Sequence, residues 1–117
     1  ENLKLNFLEI GAGNGRTTET IIRLDKRVKK YVVADFPPAL YINFLRIKYS
    51  FKNLKIKMCI NIESSNDFKK LIDDNDVLFI LPHQLKYFGN SFFDITLAID
   101  CLHEMEKKNN KKIYGNI

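Results

Sequence analysis

Three glycines alternate in the run Glu9-Ile10-Gly11-Ala12-Gly13-Asn14-Gly15, which stands between an apolar segment and an amphipathic one. The preceding residues, Leu5 to Ile10, form a short apolar run of the kind that makes a buried parallel strand. Because glycine lacks a Cβ atom, a loop of this composition lets backbone amides approach a ligand and permits positive φ angles. The run therefore predicts a strand, a ligand-binding loop and a helix in succession, with a nucleotide-like ligand at the loop.

The next residues repeat the alternation of strand and helix. A helix over Arg16 to Lys30 is predicted from an apolar stripe at helical spacing, made up of Ile21, Ile22, Leu24 and Val28. Tyr31 to Ala34 predicts a second strand, and Pro38 predicts the start of a second helix. The buried stripe of that helix comprises Leu40, Phe44, Ile47 and Phe51. The pattern predicts a Rossmann-like α/β fold, with three layers and a mostly parallel sheet.

The second half of the chain is predicted to continue this pattern less regularly. Lys55 to Ile60 is compatible with an edge strand, and Asp67 to Ile72 with a short helix. Val77 to Leu81 is predicted to be the third core strand, and Phe93 to Ile99 the fourth. Glu104 to Asn116 is interpreted as a polar helix. The whole chain, 1–117, is interpreted as one domain, apparently truncated after this fourth strand.

Charge and hydropathy narrow the class of partner. The net charge is +5, and its densest run, Lys107, Lys108, Lys111 and Lys112, is interpreted as a solvated helix face. No nucleic-acid partner is expected. No apolar run approaches the ~20 residues of a membrane span, so no membrane partner is expected either. Cys59 and Cys101 form no CxxC pair, which favours reduced thiols in a cytoplasmic protein.

An acidic residue follows the second strand. Asp35 lies ~20 residues after the glycine loop, where a carboxylate can accept hydrogen bonds from both hydroxyls of a ribose. Phe36 precedes Pro37 and is therefore biased towards an extended conformation, which suits either stacking beside an adenine or packing in the core. An acid in this position is shared by NAD-binding folds, so it predicts an adenosine ligand without choosing the cofactor.

The glycine spacing makes that choice by resemblance. A dinucleotide fold favours G-x-G-x-x-G, whereas this chain has Arg16 at the last position and shows E-x-G-x-G-x-G instead. That form resembles the first motif of class I methyltransferases, and Asp35 matches the second. The resemblance implies S-adenosyl-L-methionine as the cofactor. It assigns the backbone at Gly11, Ala12, Gly13 and Gly15 to the methionine end of the cofactor. It places Glu9 where its carboxylate serves the cofactor's ammonium or holds the loop.

Two further segments resemble motifs of the same family. Leu81-Pro82-His83-Gln84 lies where family members flank the adenine, although the usual acidic residue is absent; Leu81, His83 and Gln84 are the candidates there. The segment Phe93 to Met105 is similar to the fourth motif, whose strand end faces the sulfonium. That similarity places Asp100, Cys101 and His103 near the cofactor and the methyl acceptor, and leaves Asp94 as a structural residue at the strand start.

Three segments, Tyr31 to Leu40, Leu81 to Leu85 and Leu102 to Met105, resemble a family of sugar O-methyltransferases. The implied acceptor is a small molecule or glycan with a free hydroxyl. His103 is the candidate general base, because removing the hydroxyl proton is worth ~10²- to 10⁴-fold in rate. A structural role for His103 at the helix start is the alternative. Asp100, His103 and Glu104 span a strand-to-helix break that is expected to spoil metal geometry, so no metal is expected.

Two other functions are compatible with the same residues. One is an NAD(P)-dependent oxidoreductase, and the other is a non-catalytic nucleotide-binding or interaction module that retained the fold. The methyltransferase sheet has additional strands that close the acceptor side. We therefore expect the 117-residue chain to be an incomplete domain that binds the cofactor weakly and lacks full catalytic competence.

Overall fold

Strands of three to seven residues form a parallel sheet, and helices with a buried apolar face connect most of them. A computed structural model describes residues 3–89 and 91–98. In chain order the elements are β1 (Leu5–Ile10), α1 (Arg16–Leu24), β2 (Val28–Ala34), α2 (Ala39–Ser50), β3 (Ile56–Met58), α3 (Ser65–Asp74), β4 (Val77–Ile80), a 3₁₀ turn (Pro82–Tyr87) and β5 (Ile95–Leu97). Ile99 and the predicted helix over Glu104 to Asn116 lie outside the described residues.

The strands lie in the order β3-β4-β2-β1-β5, and every pair is parallel. The chain therefore moves from β1 to β2 on one side and places β5 on the opposite side of β1. This reversal creates a switch point between β1 and β5, and open α/β sheets bind their ligands in the crevice at the carboxyl ends of such strands. The glycine loop follows β1 directly, so the topology places it at that crevice.

The sheet separates two apolar cores, which makes three layers. On one face, α1 and α2 cover a core whose buried members include Phe7, Tyr31, Val33, Leu40, Ile47 and Phe79. On the other face, α3 and the segment after β4 cover a core whose buried members include Leu8, Val32, Phe68, Ile72, Leu78 and Ile80. Neighbouring strand residues point to opposite faces, so both faces need apolar residues. The predicted Rossmann-like α/β fold is confirmed.

The first helix ends at Leu24, and the prediction that it continues to Lys30 is wrong. The Asp25 backbone N–H donates to the Ile21 carbonyl at 2.8 Å and closes the helix, and the Asp25 carboxylate then pairs with Arg27 at 2.7 Å. Val28, assigned from its spacing to the helical stripe, begins β2 and pairs with Leu5. A β-branched residue spaced for a helix also fits the end of an adjacent strand, so periodicity alone did not separate the two.

The other elements follow the predictions more closely. α2 begins after Pro38 as predicted, with Leu40 and Ile47 fully buried. The edge strand predicted within Lys55 to Ile60 is present as β3. α3 begins earlier than predicted because Ser64 caps it: the Ser64 hydroxyl accepts a hydrogen bond from the Asp67 N–H at 3.1 Å. Asp94 fixes the start of β5, since its Oδ2 accepts from the Asn6 N–H at 2.8 Å. Within the described ranges no helix is long and apolar enough to cross a membrane.

Cys59 provides a test of this packing. Its side chain is 2% exposed in the α3-side core, and burial raises the pKa of the thiol to about 11. At pH ~8 such a thiol is about a hundredfold less ionised than one with a pKa near 9, and only the thiolate reacts with disulfide reagents. In a Cys101→Ser background we expect labelling at least a hundredfold slower than for free cysteine, rising about tenfold for each pH unit. Fast labelling at native conditions would contradict this placement of Cys59.

Candidate functional site

The glycine loop turns sharply at the carboxyl end of β1. Gly11, Gly13 and Gly15 have φ values of +67°, +64° and +92°, a region that residues with a Cβ atom rarely adopt. The Gly11 N–H donates to the Ala34 carbonyl at 2.9 Å, which ties the loop to the end of β2. The Ala12 side chain packs into the core between the sheet and the helices. The loop is therefore anchored on both sides while its backbone follows a path that favours glycine.

Asp35 lies beside this loop. Its Oδ2 accepts a hydrogen bond from the Gly13 N–H at 3.1 Å, and its Oδ1 accepts from the Phe36 N–H at 2.7 Å. The Asp35 N–H donates to the Ile80 carbonyl at 3.2 Å, so the residue is held where β2 and β4 end. The carboxylate is half-buried. The structure thus brings the first two predicted motifs into direct contact.

Glu9 lies under the loop, on the face covered by α1 and α2, and is 5% exposed. Its Oε1 accepts hydrogen bonds from the Tyr31 hydroxyl and the Thr18 hydroxyl, both at 2.6 Å. The Asn43 side-chain amide donates to the Thr18 oxygen at 3.1 Å and extends the network to α2. Burial and the nearby Glu9 carboxylate raise the pKa of Tyr31, so its phenol stays protonated and remains a donor. The network ties the end of β1 to β2 and to both helices.

α2 approaches the loop closely at Gly15. A Cβ atom at this position would lie 2.4 Å from Asn43 Oδ1. That oxygen is buried and finds no hydrogen-bond partner among the described residues. Arg46, one turn further along α2, donates from Nε to the Asn14 carbonyl at 3.0 Å and pairs with Glu19 at 2.8 Å. Neither contact from α2 was anticipated from the sequence, although Asn43 shares the inward face with Leu40 and Ile47.

The predicted adenine-flanking residues lie at the end of β4. Leu81 is half-buried and His83 is exposed. Gln84 is fully buried: its Oε1 accepts from the Leu81 N–H at 2.7 Å, and its Nε2 donates to the carbonyls of Cys59 and Ile62 at 2.9 and 2.7 Å. Both donors of the Gln84 amide are thus directed at main chain. The Gln84 side chain thus holds the main chain of Leu81, and contact with a ligand stays a prediction for Leu81, His83 and Gln84.

The remaining candidates divide into two groups. Phe36 is 65% exposed beside Asp35, so its ring is accessible and the alternative of core packing is not what the structure shows. Asp100, Cys101 and His103 lie outside the described residues, and their predicted roles stay predictions. Among residues 3–89 and 91–98 there is no group of three acidic, His or Cys side chains placed to hold a metal ion.

Fold and loop together define a parallel Rossmann-like α/β protein with a glycine-rich loop and a carboxylate at the carboxyl edge of its sheet. Neither a scan against protein-family models nor searches of curated proteins and of solved structures find a match to this chain. The functional argument therefore depends on the residues and on their geometry.

Proposed function

We propose that this chain is an S-adenosylmethionine-dependent methyltransferase that methylates a hydroxyl of a sugar or glycan. The observation that carries the proposal is the contact between Gly13 and Asp35 at 3.1 Å. This contact joins a loop whose backbone a ligand can approach closely to a carboxylate that can accept hydrogen bonds from a ribose. The loop and the carboxylate lie at the carboxyl ends of β1 and β2, where such folds bind ligands.

The chemistry of the residues present fits this cofactor. The loop has glycine with positive φ at positions 11, 13 and 15, so at these three positions no Cβ atom stands between its backbone and a bound molecule. Asp35 offers acceptor oxygens, and each carboxylate oxygen can accept more than one hydrogen bond. The exposed ring of Phe36 lies next along the chain and offers an aromatic face to an adenine. The loop would hold the amino-acid tail, Asp35 the ribose and Phe36 the base.

When bound, the cofactor supplies a methyl group activated by its sulfonium. The chain's own residues bind and orient it, because an in-line displacement depends mainly on holding the donor and the acceptor oxygen in line and on excluding water. In this proposal Glu9 supports the loop through Thr18 and Tyr31. His103 is proposed as the base that accepts the proton of the sugar hydroxyl.

A nicotinamide dinucleotide is the second candidate ligand, since a carboxylate at the end of β2 serves either adenosine ribose. Gly15 argues against it. In this chain Gly15, with φ +92°, is the residue immediately before α1, and Arg16 opens the helix where the dinucleotide pattern has its last glycine. The spacing therefore favours the methyltransferase cofactor, and a direct competition between ligands distinguishes the two.

Calorimetric titration with S-adenosylhomocysteine and, separately, with NAD⁺ tests the proposal. We expect saturable binding of the first ligand and none of the second. Asp35→Ala should weaken binding by about a hundredfold, because it removes hydrogen bonds between a charged acceptor and two ribose hydroxyls. Asp74→Ala, an exposed acid at the end of α3, is the matched control and should bind as the wild type does.

Circular dichroism of each variant shows whether the sheet and helices are retained, so a loss of binding is assigned to the site. Preferential binding of NAD⁺, binding of neither ligand at millimolar concentration, or unchanged affinity in Asp35→Ala would each contradict the proposal.

A further inference from the structure

The outer face of α2 carries a stripe of large apolar side chains that nothing in the described residues covers. Tyr41, Ile42, Leu45 and Tyr49 are 42%, 51%, 62% and 81% exposed. At 100° per residue these four positions lie within about 100° of arc, opposite the buried face of the helix. A surface helix normally presents polar side chains there. This arrangement is a continuous apolar strip rather than a scatter of single residues.

Basic side chains flank the strip. Lys48 and Lys52 lie on one side, with ammonium groups over the rings of Phe44 and Tyr49 at 5.6 and 5.0 Å from the ring centres. Arg46 lies on the other side. Leu45, Lys48, Tyr49 and Lys52 border a shallow cleft of about 420 Å³ beside the edge strand β3. The strip and its basic border therefore form one surface, which we call the α2 face.

Charge is distributed unevenly between two stretches of the chain that lie on opposite sides of the sheet. Residues 36–62, which include α2 and β3, contain five basic side chains and no acidic one: Arg46, Lys48, Lys52, Lys55 and Lys57. Residues 63–76, which include α3 on the opposite side of the sheet, contain five acidic side chains, Glu63, Asp67, Asp73, Asp74 and Asp76, and only two lysines. A partner of the α2 face is therefore expected to be anionic.

We propose that the α2 face docks on an anionic lipid surface, with α2 parallel to the membrane. Ile42 and Leu45 would enter the boundary between headgroups and acyl chains, while Tyr41 and Tyr49, at either end of the strip, lie at headgroup level, where tyrosine is favoured. The flanking lysines would contact anionic headgroups. This proposal departs from the expectation of no membrane partner, which was based on the lack of an apolar run long enough to span; a helix that lies on the surface does not require such a run.

Other occupants fit this face less well. Pairing α2 with a second copy would bring two helices without a single acidic side chain together, so like charges would oppose each other. A nucleic acid would meet the lysines and the tyrosines, yet the aliphatic Ile42 and Leu45 offer nothing to its phosphates or bases. A lipid surface uses the apolar and the basic components together.

Co-sedimentation with vesicles tests the proposal. The full chain should sediment with vesicles of phosphatidylcholine containing about one third phosphatidylserine and remain in solution with phosphatidylcholine alone. Lys48→Glu/Lys52→Glu should lower partitioning by at least tenfold, since each lysine near an anionic surface is worth about fivefold. Lys69→Glu/Lys70→Glu makes the same charge change on α3 and should have little effect. Ile42→Ser/Leu45→Ser, which keeps every charge, should also reduce binding.

Three results would overturn the proposal. One is an equal loss of binding in the α2 and α3 charge variants, which would indicate attraction by net charge alone. Another is the absence of vesicle binding, accompanied either by binding to a single-stranded oligonucleotide or by concentration-dependent self-association that Ile42→Ser/Leu45→Ser abolishes. The last is full vesicle binding by Ile42→Ser/Leu45→Ser. Because these variants leave Asp35 and the glycine loop intact, the result is independent of the titration with S-adenosylhomocysteine.

Discussion

Gly15→Ala is expected to lower the free energy of unfolding by about 2–6 kcal/mol. A side chain at φ +92° costs about 1–3 kcal/mol in backbone strain, and the added methyl group would lie 2.4 Å from Asn43 Oδ1, an overlap that typically adds about 1–3 kcal/mol. Urea unfolding followed by circular dichroism measures the change. Cofactor binding should weaken as well, because the same residue links the loop to α1.

Gly89→Ala is the matched control, since a Cβ atom there meets nothing within 4 Å among the described residues and φ is not positive. It should be neutral or slightly stabilising. The double variant Gly15→Ala/Asn43→Ala separates the two costs: removing the amide relieves the overlap but leaves the backbone strain. The two substitutions should therefore be less destabilising together than the sum of their separate effects. Strict additivity, or a Gly15→Ala variant as stable as Gly89→Ala, would contradict the close approach of α2.

The sequence predicted best those elements whose apolar residues fit the spacing of only one kind of secondary structure. β1 was predicted at its observed bounds, because an apolar run that ends in glycines has few alternative interpretations. The buried stripe of α2 was likewise readable from Leu40 and Ile47. The end of α1 was not predicted correctly, because Val28 fits both a helical stripe and the start of a strand. Its assignment was decided by a tertiary contact, the pairing with Leu5.

The candidate site likewise contains residues that could be predicted from the sequence and contacts that could not. Its glycines and Asp35 were predictable because loop and acid follow neighbouring strands of a parallel sheet, and such strand ends meet at one edge. The supporting contacts were not predictable in detail. Asn43 and Gln84 are polar residues with 1% and 0% exposure, and their partners come from distant segments of the chain. A polar residue in register with a buried stripe, as Asn43 is, was the available signal that it faces inward.

Glu9 now has a structural role that bears on its predicted role towards the cofactor. The sequence left open whether its carboxylate serves the cofactor's ammonium or holds the loop. The hydrogen bonds from Tyr31 and Thr18 tie Glu9, the residue two positions before the loop, to β2 and α1, and either role towards the loop or the cofactor stays a prediction. A carboxylate that orients two hydroxyls in a buried position also contributes negative charge beneath the proposed site of the amino-acid tail, so the two roles are compatible.

Glu9→Ala is expected to lower the free energy of unfolding by about 2–6 kcal/mol, because two buried hydroxyls lose their acceptor at about 1–3 kcal/mol each. Tyr31→Phe removes only one of the two hydrogen bonds and should cost less. Urea unfolding followed by circular dichroism measures both losses. If Glu9→Ala were as stable as wild type, the buried hydrogen bonds from Tyr31 and Thr18 would not stabilise the fold.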